Sequence, residues 1–136
     1  MNRAQLSQEI TQLHADICSA LADPNRILLL YALSEKPHNV SDLADAVGTN
    51  QPTTSRHLKI LREAGLVVSE RQGANVEYRL TDMRLIDALN LLRLVLRDRL
   101  SYRASLVESD LSNDVLPNKA LSNDALSSDA RSNNQA

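Results

Sequence analysis

The chain has 136 residues, of which 43% are apolar, 24% charged and only 2% aromatic, with no Trp and no Phe, so it suits one domain whose core is aliphatic and helical. Three glycines, four prolines and a single cysteine exclude a turn-rich all-β chain, a Gly-rich phosphate loop, an internal disulfide and a zinc knot of paired cysteines. The formal net charge of −2 hides an asymmetry: thirteen Lys and Arg face twelve Asp and Glu through residue 107, and two face five from residue 108 onward.

In chain order, Leu6, Ile10, Leu13, Ile17 and Leu21 recur at helical spacing and predict a first helix with one apolar face. Asp23-Pro24 is a helix start, because Asp caps free amides and Pro at the first helical position lacks an N–H that would have no partner there; the second helix is expected over about Pro24 to Leu33. Residues 34–39 read as a loop. Ser41 offers a cap for a short third helix with Leu43, Ala44 and Val47 inward, and Gly48 stops it. After the turn Thr49-Asn50-Gln51, Pro52 opens a fourth helix whose buried side is Thr54, Leu58 and Leu61, with Gly65 as a left-handed stop. Two helices joined by so short a turn form a helix-turn-helix candidate.

Beyond Gly65 the period falls from 3.6 to 2. Leu66 and Val68 alternate with Val67 and Ser69, and Val76, Tyr78 and Leu80 alternate with Glu77 and Arg79, which predicts a β-hairpin with Gly73 at its tip. Thr81 or Asp82 then caps a long fifth helix striped by Leu85, Leu89, Leu92, Leu96 and Leu100, with Ile86, Leu91, Leu94 and Val95 widening the apolar surface. A helix apolar on more than one face needs two partners, one of them most simply a second copy of the chain. Residues 111–130 fall into four blocks of five, a period of neither helix nor strand, so residues 108–136 are expected to be a low-complexity acidic tail without fixed structure, following a domain of residues 1–107. No apolar run approaches the ~20 residues needed to span a bilayer, and the expected location is the cytoplasm.

The segments Ala20-Leu21-Ala22-Asp23-Pro24-Asn25-Arg26, Val40-Ser41-Asp42-Leu43-Ala44, residues 50–61 with their Gln51-Pro52-Thr53-Thr54-Ser55-Arg56-His57-Leu58 core, and Ala64-Gly65-Leu66-Val67 resemble the ArsR/SmtB transcriptional repressors over roughly residues 10 to 100. The resemblance implies a winged helix-turn-helix, mainly α with a small β-hairpin, that is homodimeric through its first and last helices. It also implies a repressor that binds a near-palindromic operator in double-stranded DNA and leaves it when an inducer binds, without enzymatic activity or a cofactor.

The residue chemistry supports this independently. Gln51, Thr53, Ser55, Arg56 and Lys59 place an amide, hydroxyls and two cations on the early turns of the fourth helix, where phosphates are held and base edges read; His57 is either a further base or phosphate contact or a partly buried histidine beneath the helix, and residues 51–62 hold three cations and no carboxylate. Arg71, Asn75 and Arg79 are the wing candidates, with Gly73-Ala74 at a tip where relatives carry Gly-Arg. Leu6, Ile10, Leu13, Ile17, Leu89, Leu92 and Leu96 are the dimerisation candidates. The soft-metal motif Cys-Val-Cys-Asp-Leu of founding members is matched by Asn39-Val40-Ser41-Asp42-Leu43, and the zinc-binding positions on the last helix by Asp82, Arg84, Val95 and Asp98, so neither metal site is expected. Cys18, four residues after His14, is either a packed thiol or a redox-sensing one. A winged helix that docks proteins rather than DNA is the rival function; steep salt dependence separates the two.

Overall fold

The computed structural model describes the backbone of residues 2–135 and the side chains of residues 2–111. Its elements are α1 (Arg3–Leu13), a π-helical segment (His14–Cys18), α2 (Pro24–Glu35), β1 (His38–Asn39), α3 (Val40–Val47), α4 (Gln51–Glu63), β2 (Val67–Gln72), β3 (Asn75–Leu80) and α5 (Arg84–Gln135). The chain divides into two units, Met1–Leu89 and Asn90–Ala136. The helix-rich winged arrangement is the one the sequence predicts.

The first unit is built on an aliphatic core supplied by every helix after the π segment and by the β2–β3 hairpin: Leu29, Leu30 and Leu33 of α2, Leu43 of α3, Leu58 and Leu61 of α4, Leu66 and Val67, Leu80 of β3, and Ile86 and Leu89 of α5. Ala20, from the turn before α2, completes it. Each fully buried Leu contributes on the order of 1.5–3 kcal/mol. Helix starts are capped locally, as their sequences dictate. Asp23 accepts from the Asn25 N–H with Pro24 at the first position, and Asn50 accepts from the Thr53 N–H at 2.9 Å. At α3 the cap is Asn39, which accepts from the Asp42 N–H at 2.8 Å, rather than the expected Ser41. Val40 already has helical geometry, so the residue before it is the one free to take extended dihedrals. Gly48 ends α3 at φ 74°, ψ 34°, a left-handed conformation that strains any residue with a Cβ; this is how the chain reverses within three residues before α4.

Thr54 is fully buried, on the inward face of α4 between Leu58 and the inter-helix turn. Its Oγ1 donates to the Asn50 carbonyl at 2.9 Å and lies 2.6 Å from Thr49 Oγ1, which fastens the turn to the helix it introduces. Thr54→Val keeps the shape and removes both bonds. We expect a loss of about 1–2 kcal/mol, measured by urea unfolding, with the helical circular dichroism unchanged.

The wing differs from the expected two-stranded hairpin. Residues 38–39 form β1, which pairs antiparallel with β3 through His38 opposite Tyr78 and Asn39 opposite Glu77, so the sheet is three-stranded in the order β1-β3-β2. The inward phase of β2 also departs from expectation: Leu66 and Val67 are both buried whereas Val68 is only half-buried. Leu66 precedes the strand and is not bound by its alternation, while Val67 opens the strand opposite Leu80. The hairpin loop is Gly73-Ala74, and among the described residues φ is positive at Gly73 (63°) and at no residue other than glycine; this is the II′ rather than the I′ pattern, and it matches the strand twist.

The first helix is not a single α-helix. It changes to π geometry at His14–Cys18, where the Ser19 N–H bonds back to the His14 carbonyl. Ile17 and Leu21 pack against the core, but Leu6, Ile10 and Leu13 are 44–53% exposed. In the second unit, Leu91, Leu92, Leu94, Val95, Leu96 and Leu100 are 49–64% exposed. The α5 backbone continues to Gln135 through the stretch from residue 108 where the sequence predicts an irregular tail; the side chains of 112–136, and with them the character of that tail, lie outside the described residues. Among the described residues no helix is long and apolar enough to cross a membrane.

Candidate nucleic-acid interface

Burying Thr54, Leu58 and Leu61 turns the opposite face of α4 outward. Gln51, Ser55, Arg56, Lys59 and Arg62 are exposed, and Thr53 is half-buried. Arg56 Nη2 donates to Thr53 Oγ1 one turn earlier at 3.2 Å, so hydroxyl and guanidinium share one small patch. Arg79 pairs with Glu70 and Arg84 with Asp82; among the described residues Arg56, Lys59 and Arg62 have no carboxylate partner. Three uncompensated cations on one exposed helix face attract phosphate. The amides of the helix start add less than its sequence suggests, because Pro52 has no N–H and that of Thr53 is taken by Asn50.

His57 stands differently. It is half-buried, and Arg26 Nη1 donates to its Nδ1 at 3.4 Å. One edge of the ring is thus turned to the protein, and only the other is left for a ligand. Arg26 ends the Asp23-Pro24-Asn25-Arg26 segment, and nothing in its local pattern marks it as part of this site. The two are 31 positions apart, and no local periodicity links them.

The wing candidates separate. The register sets Arg71 opposite Val76 and Arg79 opposite Val68, and with a period of two this puts Arg71 and Arg79 on opposite faces of the ribbon. Asn75 lies opposite Gln72 beside the loop, on the Arg79 face. That face also carries Glu70 and Glu77, directly opposite each other, and Glu70 Oε2 lies 3.9 Å from Arg79 Nη2. Arg79 thus has a carboxylate beside it, with both side chains more than half exposed, and Arg71 is the wing cation without a carboxylate partner among the described residues.

Of the apolar candidates, Leu6, Ile10, Leu13, Leu92 and Leu96 are exposed on their own chain, and Ile17 is half-buried. Leu89 is 6% exposed within its own core, which removes it from a face offered to a partner. Cys18 is exposed and is not a core thiol, because the stripe that buries Ile17 and Leu21 leaves position 18 outside it.

The positions matched to zinc ligands hold an ion pair. Arg84 Nε lies 3.1 Å from both Asp82 oxygens, and Nη2 donates to Oδ2 at 2.6 Å. These bonds, with the Arg84 backbone N–H, hold the Asp82 carboxyl down from 3.8 to about 2, and Asp82 in turn raises Arg84. A carboxylate already held by an arginine offers a metal little, and among the described residues no three His, Cys, Asp or Glu side chains converge on a common point.

Residues 23–69 match the model of the family described as bacterial regulatory protein, arsR family. The chain is 44% identical over 78 residues to the HTH-type transcriptional repressor SmtB of Mycobacterium tuberculosis, a match covering 57% of this chain and 58% of that protein. It is 37% identical over 87 residues to the HTH-type transcriptional regulator NmtR of the same species, covering 64% of this chain and 72% of that one. Among solved structures, the homodimeric winged helix-turn-helix DNA-binding domain of a possible ArsR-family regulator from Mycobacterium bovis superposes with a TM-score of 0.63 at 26% identity, over 75% of this chain and 93% of that one. The chain thus spans less than two thirds of the SmtB repressor's length.

Proposed function

The chain belongs to the ArsR family of bacterial regulatory proteins, and from that premise we propose that it is a homodimeric transcriptional repressor that binds a near-palindromic DNA operator through α4. The observation that carries this reading is the exposed face of α4, where Arg56, Lys59 and Arg62 have no carboxylate partner among the described residues and stand on a helix whose other face is locked into the core. Arg71 assists from the wing. Two copies related by a two-fold axis present two such helices to successive major grooves, roughly 10 bp apart. The apolar surfaces of α1 (Leu6, Ile10, Leu13) and α5 (Leu92, Leu96) supply the contacts between copies, and no reaction is assigned to the protein.

The test is selection of bound sites from random DNA, followed by affinity measured against salt. A steep linear fall of log affinity with log salt is expected as phosphate contacts release counterions; a flat response points to a protein-docking winged helix instead. Zinc and arsenite should leave the complex intact. The zinc positions hold the Asp82–Arg84 pair, and a dimer has two Cys18 thiols where arsenite takes three. A mobility-shift titration in which either ion releases the DNA overturns this.

Exposed Cys18, in the same π turn as His14, is the candidate through which oxidants or persulfides act. Cys18→Ser should bind operator like the parent and resist release by polysulfide. Equal release of both proteins assigns the response elsewhere.

A further inference from the structure

Arg26 engages three acceptors on two segments of the chain. Its Nε donates to the Ala20 carbonyl at 2.6 Å, Nη2 to the Ser19 carbonyl at 3.4 Å, and Nη1 to Nδ1 of His57 at 3.4 Å. The two carbonyls belong to the chain just after the π segment, that of Ser19 also accepting from the Ala22 N–H at 3.3 Å; the imidazole belongs to α4, between Arg56 and Lys59 along the chain. Only a planar fork of donors spans three such acceptors at once, so lysine is no substitute. The side chain is half-buried, and among the described residues its charge meets no carboxylate.

A guanidinium donates and never accepts. The Arg26 contact therefore requires a lone pair on His57 Nδ1 and puts the ring hydrogen on Nε2, the nitrogen on the far side of the ring. We propose that Arg26 is a positioning residue for DNA binding: it holds His57 as the Nε2–H tautomer, so that this N–H donates to a DNA phosphate beside Arg56 and Lys59, and it ties α4 to the end of the first helical segment. The proposal rests on α4 being the DNA-reading helix. It gives His57 a definite role, a donor of one N–H aimed by a residue 31 positions away.

Two measurements on the full-length protein test it. Long-range nitrogen–proton correlation spectra of the 15N-labelled chain report which imidazole nitrogen carries hydrogen; the parent should show the Nε2–H form at His57, and Arg26→Ala a mixture of tautomers. Fluorescence anisotropy with a selected operator duplex then reads affinity. His57→Gln, whose amide nitrogen occupies the place of Nε2, should stay within about threefold of the parent, whereas His57→Asn, which reaches only the Nδ1 place, should lose roughly tenfold. Arg26→Ala should lose a similar factor, and the double variant Arg26→Ala, His57→Asn little more than either alone. An Nδ1–H tautomer in the parent, equal affinities of the Gln and Asn variants, or additive losses in the double variant each overturn the proposal. A parent that binds no selected duplex overturns the DNA reading and the positioning role together, while the tautomer still reports whether Arg26 grips His57.

Discussion

Arg56→Glu combined with Lys59→Glu is expected to abolish specific operator binding, with a loss above roughly a hundredfold at physiological salt. A guanidinium that reads a base contributes on the order of 1–3 kcal/mol, and each phosphate contact adds about one unit to the salt slope. Charge reversal removes both contributions and adds repulsion. Neither side chain touches the core, because Thr54, Leu58 and Leu61 form the buried side of α4. Thermal unfolding should therefore match the parent, and the loss is assignable to the interface. The single alanine variants should each weaken binding less, with Lys59→Ala lowering the salt slope by about one. Arg79→Ala should matter little beside them, because Glu70 already pairs with that guanidinium. Unchanged operator affinity in the double Glu variant at physiological salt would falsify α4 as the reading element.

The second large effect is on assembly. Leu96→Asp should convert a dimer into a folded monomer, read by sedimentation equilibrium and by retained helical circular dichroism. In the monomer Leu96 is 54% exposed, so an aspartate there is solvated and harmless; in a dimer that buries this surface it becomes an uncompensated charge, at a cost of several kcal/mol. Leu89→Asp is the internal contrast. That residue is 6% exposed in its own core, so its substitution should unfold the domain rather than divide the dimer. Loss of operator affinity should accompany Leu96→Asp, since a monomer engages one half-site. A parent protein that sediments as a monomer at micromolar concentration removes the homodimer altogether.

Much of the fold was legible because its signals are local. Asp23-Pro24 starts α2, Pro52 stands in the first turn of α4, Gly48 and Gly65 close the two helices of the helix-turn-helix, and Thr54, Leu58 and Leu61 are the buried side of α4, as the sequence predicts; α4 itself begins one residue earlier, at Gln51, on an Asn50 cap. The cations of the reading face were legible for the same reason: a helix that must bury three positions of known spacing has to expose the others. The sequence by itself therefore determined the helix-turn-helix and the outward placing of Arg56, Lys59 and Arg62, whereas Thr53 and His57 are half-buried.

Other features were decided only by tertiary structure. Strand β1 is two residues long, too short for any periodicity, and it exists because β3 has a free edge for it to pair with. Whether Arg71 and Arg79 share a face depends on strand register. Leu89 and Leu92 look alike within one apolar stripe, and only packing buries the first and leaves the second exposed. The grip of Arg26 on His57 joins groups 31 residues apart. Caps and helical faces arise from interactions within a few residues, which a linear pattern records; register, burial within a wide stripe and contacts between distant helices arise only when the chain closes on itself, because their partners are neighbours in space and not in sequence.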